Sequence, residues 1–270
     1  MQARYFYPYW GSESIPFEEV LATIKTHGFE GIEINLPEDE NIIDQLLGAG
    51  EDGLVIMGQQ VLGHRDESPS EYLKRAIDRL DFLKQVRPHH INSHTGKDHF
   101  SFEDNCAIIE ELENWSEKNG IPVFHEIHRG RFSFHPKTIV PYLQRFPSLK
   151  LVADYSHWCA VSESLLEDQQ AAITRVLAHI SHVHARVGWS QSAQVYDPFA
   201  PEWAETLSVF THWWQQIIDY RKGQGKTELL ITPEYGPFPY MADRYQEDAH
   251  EHQKGINLKM KSHLQQVLAL

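Results

Sequence analysis

Two periodicities alternate along the chain. Short apolar segments rich in β-branched residues cover 3–9, 31–36, 54–60, 89–95, 121–127, 150–155, 180–187 and 228–234. Between them lie longer segments in which apolar residues recur at helical spacing, namely 17–27, 69–85, 102–118, 136–145, 164–178, 201–222 and 246–270. This alternation predicts a parallel sheet built from βα units.

The number of units favours a closed α/β barrel. Eight strands in 270 residues leave about 34 residues for each unit, which is normal for a (β/α)8 TIM barrel. No Gly/Ser-rich linker or composition shift divides the chain, so residues 1–270 are predicted to form a single TIM-barrel domain. The alternative, an open doubly wound sheet, usually has a glycine-rich phosphate turn after its first strand, and this sequence has none.

Polar side chains collect where the later strands end, which is the rim at which TIM-barrel active sites form. They are Asn92, His94, His125, Glu126, His128, Asp154, His157, His182, His184, Arg186 and Glu234. Because successive strand residues point to opposite faces, His182, His184 and Arg186 share one face. His125 faces the other way from Glu126 and is expected to pack against a helix.

Four of these residues suggest a metal site. Carboxylates in apolar strands are costly to bury unless they are paired or bound to a cation. Glu126, Asp154, His184 and Glu234 are predicted to hold one divalent cation, and structural ion pairing is the alternative. Three carboxylates and one imidazole favour Mn2+, with Mg2+, Co2+ and Zn2+ as alternatives.

The order Glu, Asp-x-x-His, His-x-His, Glu on the last four strands resembles the xylose isomerase-like TIM barrels, which are sugar isomerases and epimerases related to apurinic endonucleases. The resemblance implies that Glu126 and Glu234 bind the metal and also act as acid and base on the substrate. It implies that Asp154 and His184 act as ligands only, and that His157 contacts substrate oxygens.

The sequence departs from the ketose 3-epimerases of that family at two positions. Phe132 stands where they carry a second glutamate, and Ser190 stands where they carry an arginine. The polar and aromatic segment 186–201 is expected to replace part of this substrate shell. Trp189 in that segment is predicted to stack on a sugar face.

Further substrate contacts are predicted at Asn92, His94, His128 and Arg186. Asn92 and His94 are equally compatible with hydrogen bonds to loop backbone, and Glu33 on the second strand is similarly open. Arg129 and Arg131 suit either a substrate hydroxyl, carboxylate or phosphate or a solvated loop. His182, one strand repeat deeper than His184, is expected to be an interior histidine.

The predicted function is a metal-dependent isomerase, epimerase or dehydratase that acts on a sugar or polyol-like keto substrate through an enediolate. The sequence does not choose among these outcomes. The alternatives are a metal-dependent hydrolase, for which His94 and His128 would supply extra ligands, and a non-catalytic sugar-binding barrel.

Charge and composition limit the kinds of molecule to which the protein is expected to bind. A net charge of −14 disfavours nucleic acid, and no apolar run is long enough for a membrane span. The N-terminus does not resemble a signal peptide, so a cytoplasmic location is expected. The two cysteines are expected to be buried thiols, and a homodimer through the aromatic loop or the C-terminal helix is compatible with the sequence.

Overall fold

Eight parallel strands close into a barrel in chain order, with β8 paired to β1. The structure, a computed structural model, describes residues 1–241 and 249–270. The strands are β1 (Gln2–Pro8), β2 (Gly31–Ile34), β3 (Val55–Gln60), β4 (His90–Ser93), β5 (Val123–Glu126), β6 (Leu151–Ala153), β7 (Ile180–His184) and β8 (Glu228–Thr232). The prediction of a (β/α)8 TIM barrel is confirmed.

Helices follow the strands and cover the outside of the barrel. They are α1 (Phe17–Thr26), α2 (Glu40–Glu51), α3 (Pro69–Leu83), α4 (Phe102–Asn119), α5 (Ile139–Arg145), α6 (Tyr155–Ser162), α7 (Gln170–Val176), α8 (Ala204–Gly223) and α9 (Ala249–Val267). Residues 246–248 of the predicted last helix lie outside the described residues. Within the described ranges, no helix has the length and apolarity to cross a membrane.

Helix α2 was missed by the sequence analysis, although its start carries a clear signal. The Asp39 carboxylate accepts hydrogen bonds from the backbone N–H groups of Asn41 and Ile42, at 2.9 and 3.3 Å, which caps the helix. Gly48 and Gly50 lie in its second half, where glycine weakens a helical pattern. The pattern between strands two and three was therefore too weak to indicate a helix.

The segment after β6 also differs from the prediction. The sixth strand was expected to reach Tyr155, but it ends at Ala153. The Asp154 carboxylate accepts the backbone N–H of Ser156 at 3.0 Å and caps α6, a helix that the sequence analysis did not separate from the strand. A predicted metal ligand is therefore also the cap that turns the chain from strand to helix.

The barrel interior changes character along its axis. One layer is an apolar cluster of Phe6, Met57, Phe124, Val152 and Leu230. Above it, towards the C-terminal ends of the strands, the inward positions are polar, because two-residue alternation brings Glu126 above Phe124 and Thr232 above Leu230. Outside the barrel, α8 buries Leu207, Phe210 and Trp214, and Trp203 packs partly buried beside them.

Candidate active site and metal centre

The four predicted metal ligands meet at the C-terminal end of the barrel. Glu126 and His184 are the last residues of β5 and β7, Asp154 directly follows β6, and Glu234 lies two residues beyond β8. Each offers a ligand atom, and these atoms all lie within 4.8 Å of one another. Their side chains are almost completely buried. Closure of the barrel thus brings together residues from four consecutive strands.

The orientation of His184 is fixed from below by Glu33. Nε2 of His184 lies 3.0 and 3.1 Å from the two carboxylate oxygens of Glu33, and the Thr232 hydroxyl donates to the same carboxylate at 2.7 Å. Nδ1 of His184 points the other way, 2.9 Å from Oε2 of Glu234 and 3.6 Å from Oε1 of Glu126. A carboxylate that holds one imidazole nitrogen while the other faces a ligand cluster is the usual arrangement around metal-bound histidines.

The residues present fit a divalent cation. Nδ1 of His184 and Oε2 of Glu234 are buried and have no hydrogen-bond partner, although only 2.9 Å separates them. Three carboxylates and one imidazole also form the oxygen-rich donor set of a hard divalent ion. The unpartnered atoms and the donor chemistry therefore point to the same place.

The charges at the centre shift three pKa values in different directions. Burial opposes the charged imidazolium, but Glu234, Glu33 and Glu126 outweigh it and raise the pKa of His184 well above its ordinary value. Burial disfavours the Glu126 carboxylate, but His94 and His184 hold its pKa well below the ordinary range. Burial raises the pKa of Glu234, against the opposing effects of His184 and Arg186. Two carboxyl groups whose pKa values move apart are typical of a base and an acid in one site.

Arg186 bridges two of the ligands. Its Nε donates to Oδ2 of Asp154 at 3.0 Å, its Nη2 donates to the same oxygen, and Nη2 lies 3.2 Å from Oε2 of Glu234. Nη1 is buried without a partner, and the side chain lines the central cavity. Arg186 therefore both positions the carboxylates and presents a free donor to the cavity.

A cavity of about 320 Å³ opens above this cluster. Its wall includes three of the predicted substrate contacts, His94, His128 and Arg186, together with Glu126 and Glu234. The volume is at the lower end of the roughly 300–1,000 Å³ that is typical of small-molecule sites. The cavity therefore suits a compact substrate.

Two other predicted contacts, Asn92 and His157, lie behind the residues that line the cavity. The Asn92 amide donates to Glu126 at 2.6 Å and to Glu33 at 3.1 Å, beneath the ligands. His157 accepts from Nη2 of Arg186 at 3.0 Å, and its ring centroid lies 3.8 Å from that of His128. The structure places these two side chains where they support the residues that face the cavity.

Trp189 packs within its own loop. Its ring centroid lies 5.3 Å from that of Trp203, and its backbone N–H donates to Ser192 at 2.8 Å across the turn that contains Ser190. Gln194, further along the loop, exchanges two hydrogen bonds with the backbone of Gly236 after β8. The loop is thus pinned to the rim, while the stacking role of Trp189 stays a prediction.

Several residues that line the cavity were not predicted, because most of the predicted site residues lie at the ends of strands four to eight. Gln59 of β3 donates to Oε1 of Glu234 at 3.4 Å, and Tyr9, Trp10 and Tyr240 add an aromatic wall to the cavity. The sequence does contain a signal for three of them. Tyr9 and Trp10 stand at the end of the first strand and Gln59 at the end of the third, which is the rim where the active site of a TIM barrel forms. Glu33 was left open, and it proves to be the residue that orients His184.

A column of polar side chains runs below the centre along the barrel axis. Nε2 of His182 lies 2.8 Å from the Thr232 hydroxyl, and Nδ1 of His182 lies 3.4 Å from Nε2 of His90. Nδ1 of His90 lies 3.1 Å from Nδ1 of the exposed His89. His182 is therefore an interior histidine with polar partners on both sides, as expected.

His125 faces outward from β5. Its Nε2 lies 3.1 Å from Glu113 of α4 and its Nδ1 lies 2.7 Å from the Thr95 hydroxyl. The side chain packs against a helix, as strand alternation indicated.

Comparison with known proteins shows the same architecture. No protein-family model matches the chain, and no curated protein sequence matches it. Among solved structures, a D-tagatose 3-epimerase-like protein superposes with a TM-score of 0.65 at 14% identity, covering 98% of this chain and 100% of that one. The chain has the fold of xylose isomerase-like TIM barrels.

Two further neighbours show the range of proteins with this fold. The probable 3-DHS dehydratase AsbF from Bacillus anthracis has a TM-score of 0.62 and 16% identity, with 96% and 98% of the two chains covered. A xylose isomerase-like TIM barrel protein from Mycobacterium smegmatis, crystallised in complex with magnesium, has a TM-score of 0.61 and 14% identity, with 98% and 99% covered. At these identities the likeness establishes the fold.

Proposed function

We propose that the protein is a divalent-metal-dependent isomerase or epimerase of a sugar or polyol-like keto substrate, with Glu126 and Glu234 as base and acid. The observation that carries the proposal is that two buried glutamates, Glu126 and Glu234, both approach Nδ1 of His184 within one cation-sized cluster. In the metal-free protein their pKa values are also displaced in opposite directions. The cation would be held by Glu126, Asp154, His184 and Glu234, and Mn2+ is the first choice. Structural neighbours named as a 3-epimerase-like protein and a dehydratase support this class of chemistry.

The proposed reaction divides tasks among the side chains. When bound, the cation supplies polarisation of the substrate carbonyl, which lowers the cost of the enediolate. The Glu126 carboxylate removes the proton next to that carbonyl. Glu234, whose pKa is raised by burial, returns a proton, and the carbon that receives it decides between epimerisation and isomerisation. Arg186 and His94 lie in the wall, where they donate to substrate oxygens.

Hydrogen exchange with solvent tests this proposal. The Mn2+-loaded and Mg2+-loaded enzymes would be incubated in D2O with a panel of ketoses, inososes and 3-keto sugars, and deuterium at each carbon would be followed by NMR. We expect exchange at the single carbon next to the carbonyl of a productive substrate. Binding without exchange for every compound would indicate a sugar-binding barrel and contradict the proposal.

A hydrolase is the second candidate, because one specific observation favours it. His94, Glu126 and His128 form another cluster whose ligand atoms lie within 4.8 Å of one another, and it shares Glu126 with the first. Two metal ions, if bound at the two clusters, would stabilise the attacking and leaving oxygens of a hydrolytic displacement. Metal analysis separates the candidates: one Mn2+ or Mg2+ per chain supports the isomerase, and two or more Zn2+ support the hydrolase.

A further inference from the structure

The cavity that contains Glu126 and Glu234 also exposes a buried arginine that has almost no partner. Arg131 lines the cavity wall and is only 3% exposed. Its Nε and Nη1 are buried with no hydrogen-bond partner, and its Nη2 makes one long contact, 3.5 Å, to the backbone oxygen of Leu62. A guanidinium buried without acceptors carries a desolvation cost that an incoming anion would remove.

A second buried cation lies nearby. Lys97 is 2% exposed, and its ammonium lies 5.6 Å from the ring centroid of Tyr72. Burial and Arg131 both lower the pKa of Lys97, and Lys97, burial and Arg131 lower the pKa of His64 at the cavity wall, so these groups share one electrostatic environment. Because two buried positive charges destabilise each other, a nearby negative charge would stabilise Lys97 and Arg131.

The protein supplies only part of that counter-charge. Oε2 of Glu67 lies 2.5 Å from Nη1 of Arg75 and is committed to that ion pair, while its Oε1 is buried without a hydrogen-bond partner. Asp98, which also faces Lys97 and His64, has a side chain 43% exposed and is screened by solvent. Lys97 thus lies close enough to Arg131, Arg75 and Glu67 to interact with all three charges, and Glu67 is the one carboxylate among them whose side chain is buried.

The local fold explains why Arg131 faces the cavity. Gly130 adopts a positive φ of 74°, which turns the chain after β5. The backbone N–H of Arg131 donates to His128 at 3.2 Å, and that of Phe132 donates to Thr95 at 3.3 Å, so the loop is fixed to its neighbour. Phe132 is directed into the core, with its ring centroid 4.9 Å from that of Tyr142. The departure from the epimerase pattern at Phe132 thus accompanies an arginine that is directed at the substrate space.

We propose that Arg131, supported by Lys97, binds an anionic group of the substrate, so that the enzyme acts on a keto sugar carrying a terminal carboxylate or phosphate. The proposal rests on the isomerase function proposed above, since it places the keto end of the substrate at the metal cluster. The planar guanidinium fork with two free donors matches both anions, and their shared chemistry is what the site selects.

The test compares three ligands that differ at one carbon: D-fructose, its 6-carboxylate D-fructuronate and D-fructose 6-phosphate. Calorimetric titration of the metal-saturated protein is expected to give about 10- to 100-fold tighter binding of one anion than of D-fructose. The preferred anion identifies the terminal group. Repeating the titrations on EDTA-treated protein separates anion binding by the subsite from chelation by the metal.

Variants assign the effect to Arg131. Arg131→Gln is expected to reduce the anion preference to about threefold or less and Arg131→Lys to keep part of it. The matched control Arg175→Gln, at an exposed position of α7, should keep it in full. Without ligand, the melting temperature of Arg131→Gln should equal or exceed that of the wild type, because an unpaired buried charge is removed. If Arg131→Gln fails to fold, the ratio of affinities for the anion and for D-fructose, measured in the wild type and in Arg131→Lys, still tests the proposal.

The outcomes distinguish this proposal from the function on which it rests. Equal affinity of the wild type for all three ligands, or an anion preference unchanged in Arg131→Gln, overturns the anion subsite. Deuterium exchange into neutral ketoses without any anion preference leaves the isomerase standing and removes the subsite. An Arg131-dependent anion preference, with no exchange into these three ligands or into any compound of the wider panel, supports the subsite and contradicts the isomerase.

Discussion

The two halves of the barrel contribute different kinds of side chains to the centre. From β5–β8 come the four proposed metal ligands, and two of them, His184 and Glu234, have a buried atom that makes no hydrogen bond. From β2–β4 come Glu33, Gln59 and Asn92, whose side chains contact these ligands. Under the proposed function, the second half carries the reactive groups, and the first half sets their orientation and charge. Substitutions in the two halves should differ in which measured quantity they change.

The largest effect is expected in the reactive half, at Glu234. Glu234→Gln removes the acid that returns a proton to the substrate but keeps an oxygen for the cation, so the rate of product formation should fall about 10²–10⁴-fold. Metal affinity, measured by titration, should stay within about tenfold of the wild type. The exposed Glu202→Gln is the matched control and should change neither quantity. A normal rate of product formation by Glu234→Gln would contradict the acid–base role of this side chain.

An intermediate effect is expected in the orienting half, at Glu33. Glu33→Gln weakens the hydrogen bond that holds Nε2 of His184, so metal affinity should fall about 10–100-fold. Exchange measured at saturating metal should be affected less. Glu228→Gln, at the opposite end of the barrel, makes the same substitution and should leave metal affinity unchanged. Equal metal affinities of Glu33→Gln and the wild type would show that Glu33 does not orient His184 for metal binding.

The smallest effect is expected in the interior column, at His182. Burial lowers the pKa of His182 to about 4, so the imidazole is neutral in the folded protein while the unfolded chain takes up a proton near pH 6.5. A depressed folded pKa means that stability is lost as the pH falls, within the window from 6.5 to 4. Between pH 6.5 and 5.5, His182 should account for a loss of about 1 kcal/mol.

Urea unfolding of the metal-free protein at several pH values measures this loss. In His182→Gln the free energy of unfolding should depend less steeply on pH over this window than in the wild type. The exposed His27→Gln should keep the wild-type slope. Parallel pH profiles for His182→Gln and the wild type would contradict a neutral buried imidazole.

The difference between the two halves of the barrel also explains which parts of the site could be predicted from the sequence. Glu126, Asp154, His184 and Glu234 were predictable because charged residues at the ends of apolar strands are costly exceptions that need a reason. Glu33 has the same signature, but its partner His184 lies 151 positions away in the chain, and nothing local indicates that contact. Gln59 and Glu234, 175 positions apart, present the same difficulty.

The fold was more accessible than the contacts across the barrel, because eight repeats of one pattern reinforce each other. Local errors arose where two signals overlapped. Tyr155 continues an apolar run and was assigned to a strand, but the capping carboxylate of Asp154 ends the strand first. The aromatic loop after β7 suggested a stacking residue at Trp189, whereas Gln194 and Trp203 show that part of its composition serves to fix the loop to the rim.

The polar column beneath the centre restricts how this barrel can change over evolutionary time. Glu33, Thr232, His182 and His90 are completely or almost completely buried, and each satisfies a neighbour. Replacing one of them alone by an apolar residue leaves a buried partner unsatisfied, at a cost of about 1–3 kcal/mol, whereas replacing a whole pair by apolar residues of similar shape costs much less. Substitutions along the axis should therefore appear in coupled sets, which homologous sequences would record as co-variation among strands β2, β4, β7 and β8.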